Sequence, residues 1–221
     1  MKYGESTFDI LYLLFAVASG CLMLIKGKNK AGKMMGAAAL ILGLGDAFHL
    51  VPRVLNYFID VDFTAALGIG KLVTSITMTI FYVLMYYIWL EIYDEYADRK
   101  QYILIWVMAA MRIILCCFPQ NGWLRNDSGM TWAVIRNIPF IVLGAYIMIL
   151  YFRKRDENRL FRPVWLLICL SFLFYIPVAV GAGVLPILGM LMLPKTVCYI
   201  LMIVIFLKSV REERNPAAGE G

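Results

Sequence analysis

Four polar side chains punctuate the second long apolar stretch of the chain: Asp46, His49, Arg53 and Asn56. Their spacings of three, four and three residues put them on one face of a helix. An acid and an imidazole one turn apart suit proton transfer, because an unperturbed histidine titrates near neutrality, at about 6.5. With Asp46 orienting the ring, His49 is a candidate general base. Without a reaction to catalyse it is a candidate proton carrier, and a plain hydrogen-bonded role in a helix bundle is the third reading. Asp46 is the one acid well inside an apolar stretch, and five cations share such stretches with it: Arg53, Lys71, Arg112, Arg136 and Lys195. Ionisable groups at mid-bilayer depth cost roughly 2.5–3.5 kcal/mol each on insertion scales, so they face a protein interior or a wet cavity. Five cations against one acid call for a counter-ion. A ligand is the expected source: a carboxylate, a phosphate or a lipid headgroup.

Other residues fall where they would line the same cavity. Lys71, Thr74, Ser75, Met78 and Tyr82 share one face of the third stretch, and Lys195, Cys198, Tyr199 and Met202 one face of the seventh. Pro194 is expected to interrupt that last helix and free backbone carbonyls. Ser171, Tyr175 and Pro177 mark the sixth stretch, Asn137 and Pro139 the fifth. Asp46 and Lys195 lie at similar depth and are expected to pair, with Arg112 the competing partner. Arg53, Lys71 and Arg136 also lie near enough to one end to snorkel to lipid headgroups. Gly36, Gly43 and Gly45 allow close helix packing. The candidate ligand-binding set is therefore Asp46, His49, Arg53, Lys71, Arg112, Arg136, Tyr175, Lys195 and Tyr199. If the chain is an enzyme, Asp46 and His49 are the catalytic pair. No metal site or cofactor is expected, since Cys21, Cys116, Cys117, Cys169 and Cys198 contain no CxxC pair and the chain has a single histidine.

The elements that must hold these residues follow from composition. Of 221 residues 62% are hydrophobic and only 16% charged, with a mean hydropathy of +0.76. A soluble domain is nearer half apolar and a quarter charged, so the partner is the lipid bilayer. A net charge of +6 does not point to nucleic acid, because the cations cluster between the apolar stretches. A span needs about 20 mostly apolar residues. Seven stretches qualify, at 8–25, 34–56, 65–90, 101–118, 132–151, 160–181 and 185–207. The expectation is an all-α, seven-helix transmembrane bundle forming one domain over 1–207, followed by a short tail at 208–221. Glu5 and Asp9 before the apolar run Leu11–Ile25 and Lys26, Lys28, Lys30 and Lys33 after it are the reverse of a signal peptide, so it is read as the first span. The loops after the first, third and fifth spans and the tail are basic, whereas the other side carries only Lys2 and Arg125. By the positive-inside rule the amino terminus is outside and the carboxyl tail cytoplasmic, in a plasma or inner membrane.

The third and seventh spans both run Lys, a small polar residue at +3, an aromatic or hydroxyl at +4 and Met at +7. Pro52 and Pro177 also match, so two parallel three-helix repeats about a linker helix are one reading of the order. In topology the chain resembles the transporter, opsin and receptor group of three-plus-one-plus-three helices, which includes the SWEET sugar carriers, although the prolines that mark those carriers are not in place. Tyr175, Pro177 and Lys195 also resemble microbial rhodopsins, which would make Lys195 a retinal Schiff-base lysine. Those proteins carry an acid in the third span, where this chain has Lys71. The histidines of ceramidase-like hydrolases and the paired aspartates of lysoplasmalogenase-like enzymes are absent. The function expected is binding or transport of a small anionic or amphiphilic solute through an outward-facing cationic pocket, with proton coupling through Asp46 and His49. The alternatives are an intramembrane lipid-processing enzyme and a seven-helix sensor.

Overall fold

Long runs of Leu, Ile, Met, Val and Ala favour helix, and in lipid a helix satisfies every backbone polar group internally. The structure, a computed structural model, describes residues 2–127, 129–181 and 185–214. Among these residues it is all-helical, with seven helices long and apolar enough to cross a membrane. They are α1 (Lys2–Lys26), α2 (Lys30–Phe58), α3 (Thr64–Ile92), α4 (Arg99–Cys117), α5 (Met130–Arg153), α6 (Val164–Gly181) and α7 (Met192–Arg214). A 3-10 turn at Pro186–Leu191 leads into α7.

Local chemistry fixes the ends. Asn29 caps α2 by accepting from the Gly32 amide at 2.7 Å. Asp62 accepts from the Thr64 amide at 2.9 Å where α3 begins, and the Thr64 hydroxyl together with this amide holds its carboxyl below the usual range. Pro194 does not interrupt α7. It lies in the first turn, where a missing N–H leaves no bond unmade, so the expected freed carbonyls are absent there.

Each helix packs on the next in sequence, and α7 returns to α1 and α2, closing a ring; α3 also reaches α5. Glycines set the closest approaches. A Cβ on Gly20 of α1 would lie 2.9 Å from the Leu40 amide nitrogen of α2. One on Gly70 of α3 would run into the Phe48 carbonyl and the His49 backbone of α2. Pro52 contributes to that crossing, because it has no N–H to donate to Phe48 four residues back.

The two ends of the ring differ. Lys26, Lys28, Lys30, Lys33, Arg99, Lys100, Arg153, Lys154, Arg155, Arg159, Arg162, Lys208, Arg211 and Arg214 gather at the end opposite the amino terminus. Surface pairs tie the loops there: Lys154 meets Glu95 at 2.7 Å and Glu157 at 2.9 Å, which holds its ammonium above the usual lysine range. The half nearer this end is solid core, with Met85, Tyr86, Tyr151, Met202 and Phe206 fully buried. The Tyr151 hydroxyl donates to the Met85 carbonyl at 3.0 Å, joining α5 to α3.

Candidate functional site

The other half of the ring is not filled. A cavity of about 600 Å³ lies there, and α2 to α7 each contribute to its wall. The reason is positional: every lining residue comes from the half of its helix nearer the amino-terminal end, or from the turns at that end. His49 and Arg53 enter from α2, Lys71, Thr74, Ser75 and Met78 from α3, and Arg112 from α4. Arg136 and Phe140 enter from α5, Tyr175 and Val178 from α6, and Lys195 from α7. Asp127, in the turn before α5, is the one acid among the lining residues. Rings close the inner side: Tyr82 packs edge-on to Phe140 at 5.3 Å and against Phe172 at 5.3 Å, and Phe140 against Tyr175 at 5.7 Å.

A second, small pocket of about 30 Å³ adjoins it and shares His49, Arg53, Thr74, Met192 and Lys195. Asp9, Asp46, Thr196 and Tyr199 complete its polar wall. A buried water needs roughly 10–15 Å³ measured this way, so there is room for about two.

The cations differ in what surrounds them. Arg53 is an ion-pair hub: its Nη2 donates to Glu5 and, at 3.1 Å, to Asp9 Oδ2. The Tyr57 hydroxyl donates to the other Glu5 oxygen at 3.0 Å. Arg112 is 1% exposed and donates to the Arg136 carbonyl and, at 3.5 Å, to the Tyr175 hydroxyl. Among the described residues its Nε has no partner, and its guanidinium lies 5.1 Å from the Phe140 ring centre. Arg136 donates to Asn121 Oδ1 at 2.9 Å and stacks 4.5 Å from the Trp123 ring. The Lys195 ammonium is 4.7 Å from the Tyr175 ring centre and 5.5 Å from that of Tyr199. Such contacts soften the cost of a buried cation without cancelling its charge. Among the described residues, none of Lys71, Arg112, Arg136 and Lys195 has a carboxylate within 4.0 Å.

Seven of the nine sequence-predicted site residues therefore line the cavity: His49, Arg53, Lys71, Arg112, Arg136, Tyr175 and Lys195. Asp46 and Tyr199 border the small pocket instead. The expected direct pair between Asp46 and Lys195 does not form. The Tyr12 hydroxyl donates to Asp46 Oδ2 at 2.7 Å, so a closer and uncharged partner from α1 takes the carboxylate. Asn56 departs from the stripe, because α2 passes beyond the ring there and leaves it exposed. The count of five cations against one acid also changes. Asp9 is 3% exposed inside α1 and neutralises Arg53 together with Glu5. Glu5, Asp9 and Tyr12 are the residues sequence reasoning missed, although their spacing of four and three is itself a helical stripe. Asn121 was missed too. It sits 0% exposed in the turn after α4, and its amide donates to Leu115 and Phe118 carbonyls at 2.8 and 2.9 Å.

No protein-family model, curated protein or solved structure matches this chain.

Proposed function

We propose that the chain is a multi-pass membrane protein that binds a small anionic or amphiphilic solute in the cavity bounded by α2 to α7, and moves it across the bilayer. One observation carries the reading: Lys71, Arg112, Arg136 and Lys195 border a single cavity with no carboxylate within 4.0 Å among the described residues. Arg112 and Lys195 are buried, at 1% and 6% exposed, whereas Arg136 is half-buried and Lys71 exposed. Buried positive charge without a partner is costly, and an anion entering beside Arg112 and Lys195 regains that cost as binding energy. In this reading the basic loops are cytoplasmic, as the positive-inside rule requires, so the cavity opens outward. The two-repeat reading draws on Lys71 of α3 and Lys195 of α7 facing the same space.

Proton coupling is assigned to the small pocket. Asp46 and His49 both border it, and a water there bridges them in the proposed path. Proteoliposomes with an inward proton gradient should accumulate the bound solute, and Asp46→Asn should abolish the gradient's effect while leaving binding intact. Gradient-independent uptake by wild type would remove the coupling. The lipid-enzyme alternative has one specific support, the buried and unpartnered Nδ1 of His49. It requires product formation that His49→Ala eliminates.

The reading as a whole is tested by thermal shift of purified protein against anionic metabolites and lipids. A ligand at about a hundred times its Kd stabilises by about 2.7 kcal/mol. Lys195→Met and Arg112→Gln should lose that stabilisation. A screen in which no anion protects the wild type, and the variants only melt earlier, rejects the reading.

A further inference from the structure

The uncompensated cations are neighbours in series. Lys71 and Arg136 lie close enough to repel, as do Arg136 and Arg112, and Arg112 and Lys195, although the nearby Asp46 carboxylate more than offsets the effect of Arg112 on Lys195. A singly charged ligand relieves too little of this. Against the four charges stand Asp127 in the wall and Asp46, which borders the small pocket with Lys195; four cations less two acids leaves two positive charges. A dicarboxylate spreads its two charges along a chain, whereas a phosphate carries both on one tetrahedral centre that neighbouring cations reach together. The donors suit it. Arg112, 1% exposed, has a buried Nε without a partner and an Nη2 held only at 3.5 Å, so both remain to meet two oxygens of one anion.

Size and apolar surface set the rest of the ligand. About 600 Å³ lies within the range of roughly 300–1,000 Å³ typical of organic-ligand sites and far exceeds what inorganic phosphate fills. Met78, Phe140, Val178 and Met192 supply an apolar wall beside the charges. We infer that the cavity's ligand is a phosphate monoester with an apolar body, its dianionic head among Lys71, Arg112, Arg136 and Lys195. This deepens the proposed function and rests on it. The same chemistry is offered by a membrane lipid with a monoester headgroup and by a water-soluble phosphomonoester.

The test compares ligands of matched shape and different charge, on full-length protein in nanodiscs. Phenyl phosphate and phenyl sulfate share a body and a tetrahedral head, but at about pH 8 only the phosphate is doubly charged, since its second pKa is about 6. Phosphatidate and phosphatidylglycerol make the same comparison in lipid, and inorganic phosphate tests the head alone. At least one monoester should bind about tenfold or more tighter than its singly charged counterpart and tighter than inorganic phosphate. Phosphatidate alone doing so assigns the lipid source, and phenyl phosphate alone the soluble one. Lys71→Gln, which removes no hydrogen bond or ion pair seen here, should erase most of the preference, and Arg112→Lys should weaken it. Equal binding of the two phenyl esters and of the two lipids overturns the dianion while leaving the anion site standing. A preference unchanged in both variants puts the ligand elsewhere and overturns the inference. Binding of none of the five probes overturns this inference, and the proposed function falls with it only where the wider screen of anionic metabolites is also negative.

Discussion

Arg53 shows how a charge that looks like part of a binding site can be committed to structure. Its guanidinium holds Glu5 and Asp9 of α1 against α2, and the Asp9 side chain is only 5% exposed. Breaking a buried pair from one side costs about 3–5 kcal/mol because the remaining charge is stranded. Arg53→Gln should therefore lower the melting temperature sharply while leaving ligand affinity, measured on the folded fraction, within a few-fold of wild type. A large affinity loss at unchanged stability would put Arg53 in the ligand site. Tyr12 makes the matching claim for Asp46. A hydrogen bond to a charged group is worth about 1.5–3 kcal/mol, so Tyr12→Phe should destabilise by that order and by clearly less when Asp46 is already Asn. Additive losses in a double-mutant cycle would show that the bond contributes nothing. The cationic residues were legible in the sequence because an arginine in an apolar run has no bland explanation. Glu5 was not, because hydropathy starts the first span at Phe8, whereas the helix starts at Lys2; Asp9 and Tyr12 lie within that span but next to its end, where polar and tyrosine residues are ordinary at a membrane surface.

At the scale of elements, the crossing of α2 and α3 sets the cavity's width. Gly70 meets the Phe48 carbonyl and the His49 backbone, neither of which can rotate away. Gly70→Ala should destabilise by about 1–3 kcal/mol, the usual range for overpacking, and should weaken ligand binding by displacing Lys71, one residue on. Denaturation with unchanged stability and affinity would mean that the helices separate freely there. The seven helices were readable from apolar length alone, since each is long and apolar enough to cross a bilayer core. Their ends were not. Helices α3 and α7 continue through polar residues to Ile92 and Arg214, and α2 begins at Lys30 in the basic loop, because helices end at caps and turns rather than where hydropathy falls. Pro194 misled for a related reason: position in the helix decides what a proline costs, and that position depends on where α7 begins.

For the whole molecule the account assigns opposite roles to its two ends, one basic and solid, the other hollow with inward-facing cations. Orientation is checked by cysteine accessibility in a variant with the five native cysteines replaced. A membrane-impermeant maleimide should label Asp60→Cys in intact cells and Lys28→Cys only after permeabilisation; both residues are exposed, in or beside the turns at opposite ends. The reverse pattern would make the cavity cytoplasmic. Transport further requires that the ring cluster of Tyr82, Phe140 and Phe172 part, with Pro139 and Pro177 in the neighbouring helices the places to bend. The central claim is that positive charge in the hollow half is held ready for an anion, whereas positive charge at the basic end serves the membrane surface. It is tested most directly by locating tungstate, a compact dianion with strong anomalous scattering, in crystals of the full chain. The account predicts the strongest anomalous peak inside the cavity, between Arg112 and Lys195 or Lys71. Peaks confined to the basic loops around Lys26–Lys33 and Arg153–Arg162, with none in the cavity, would contradict it.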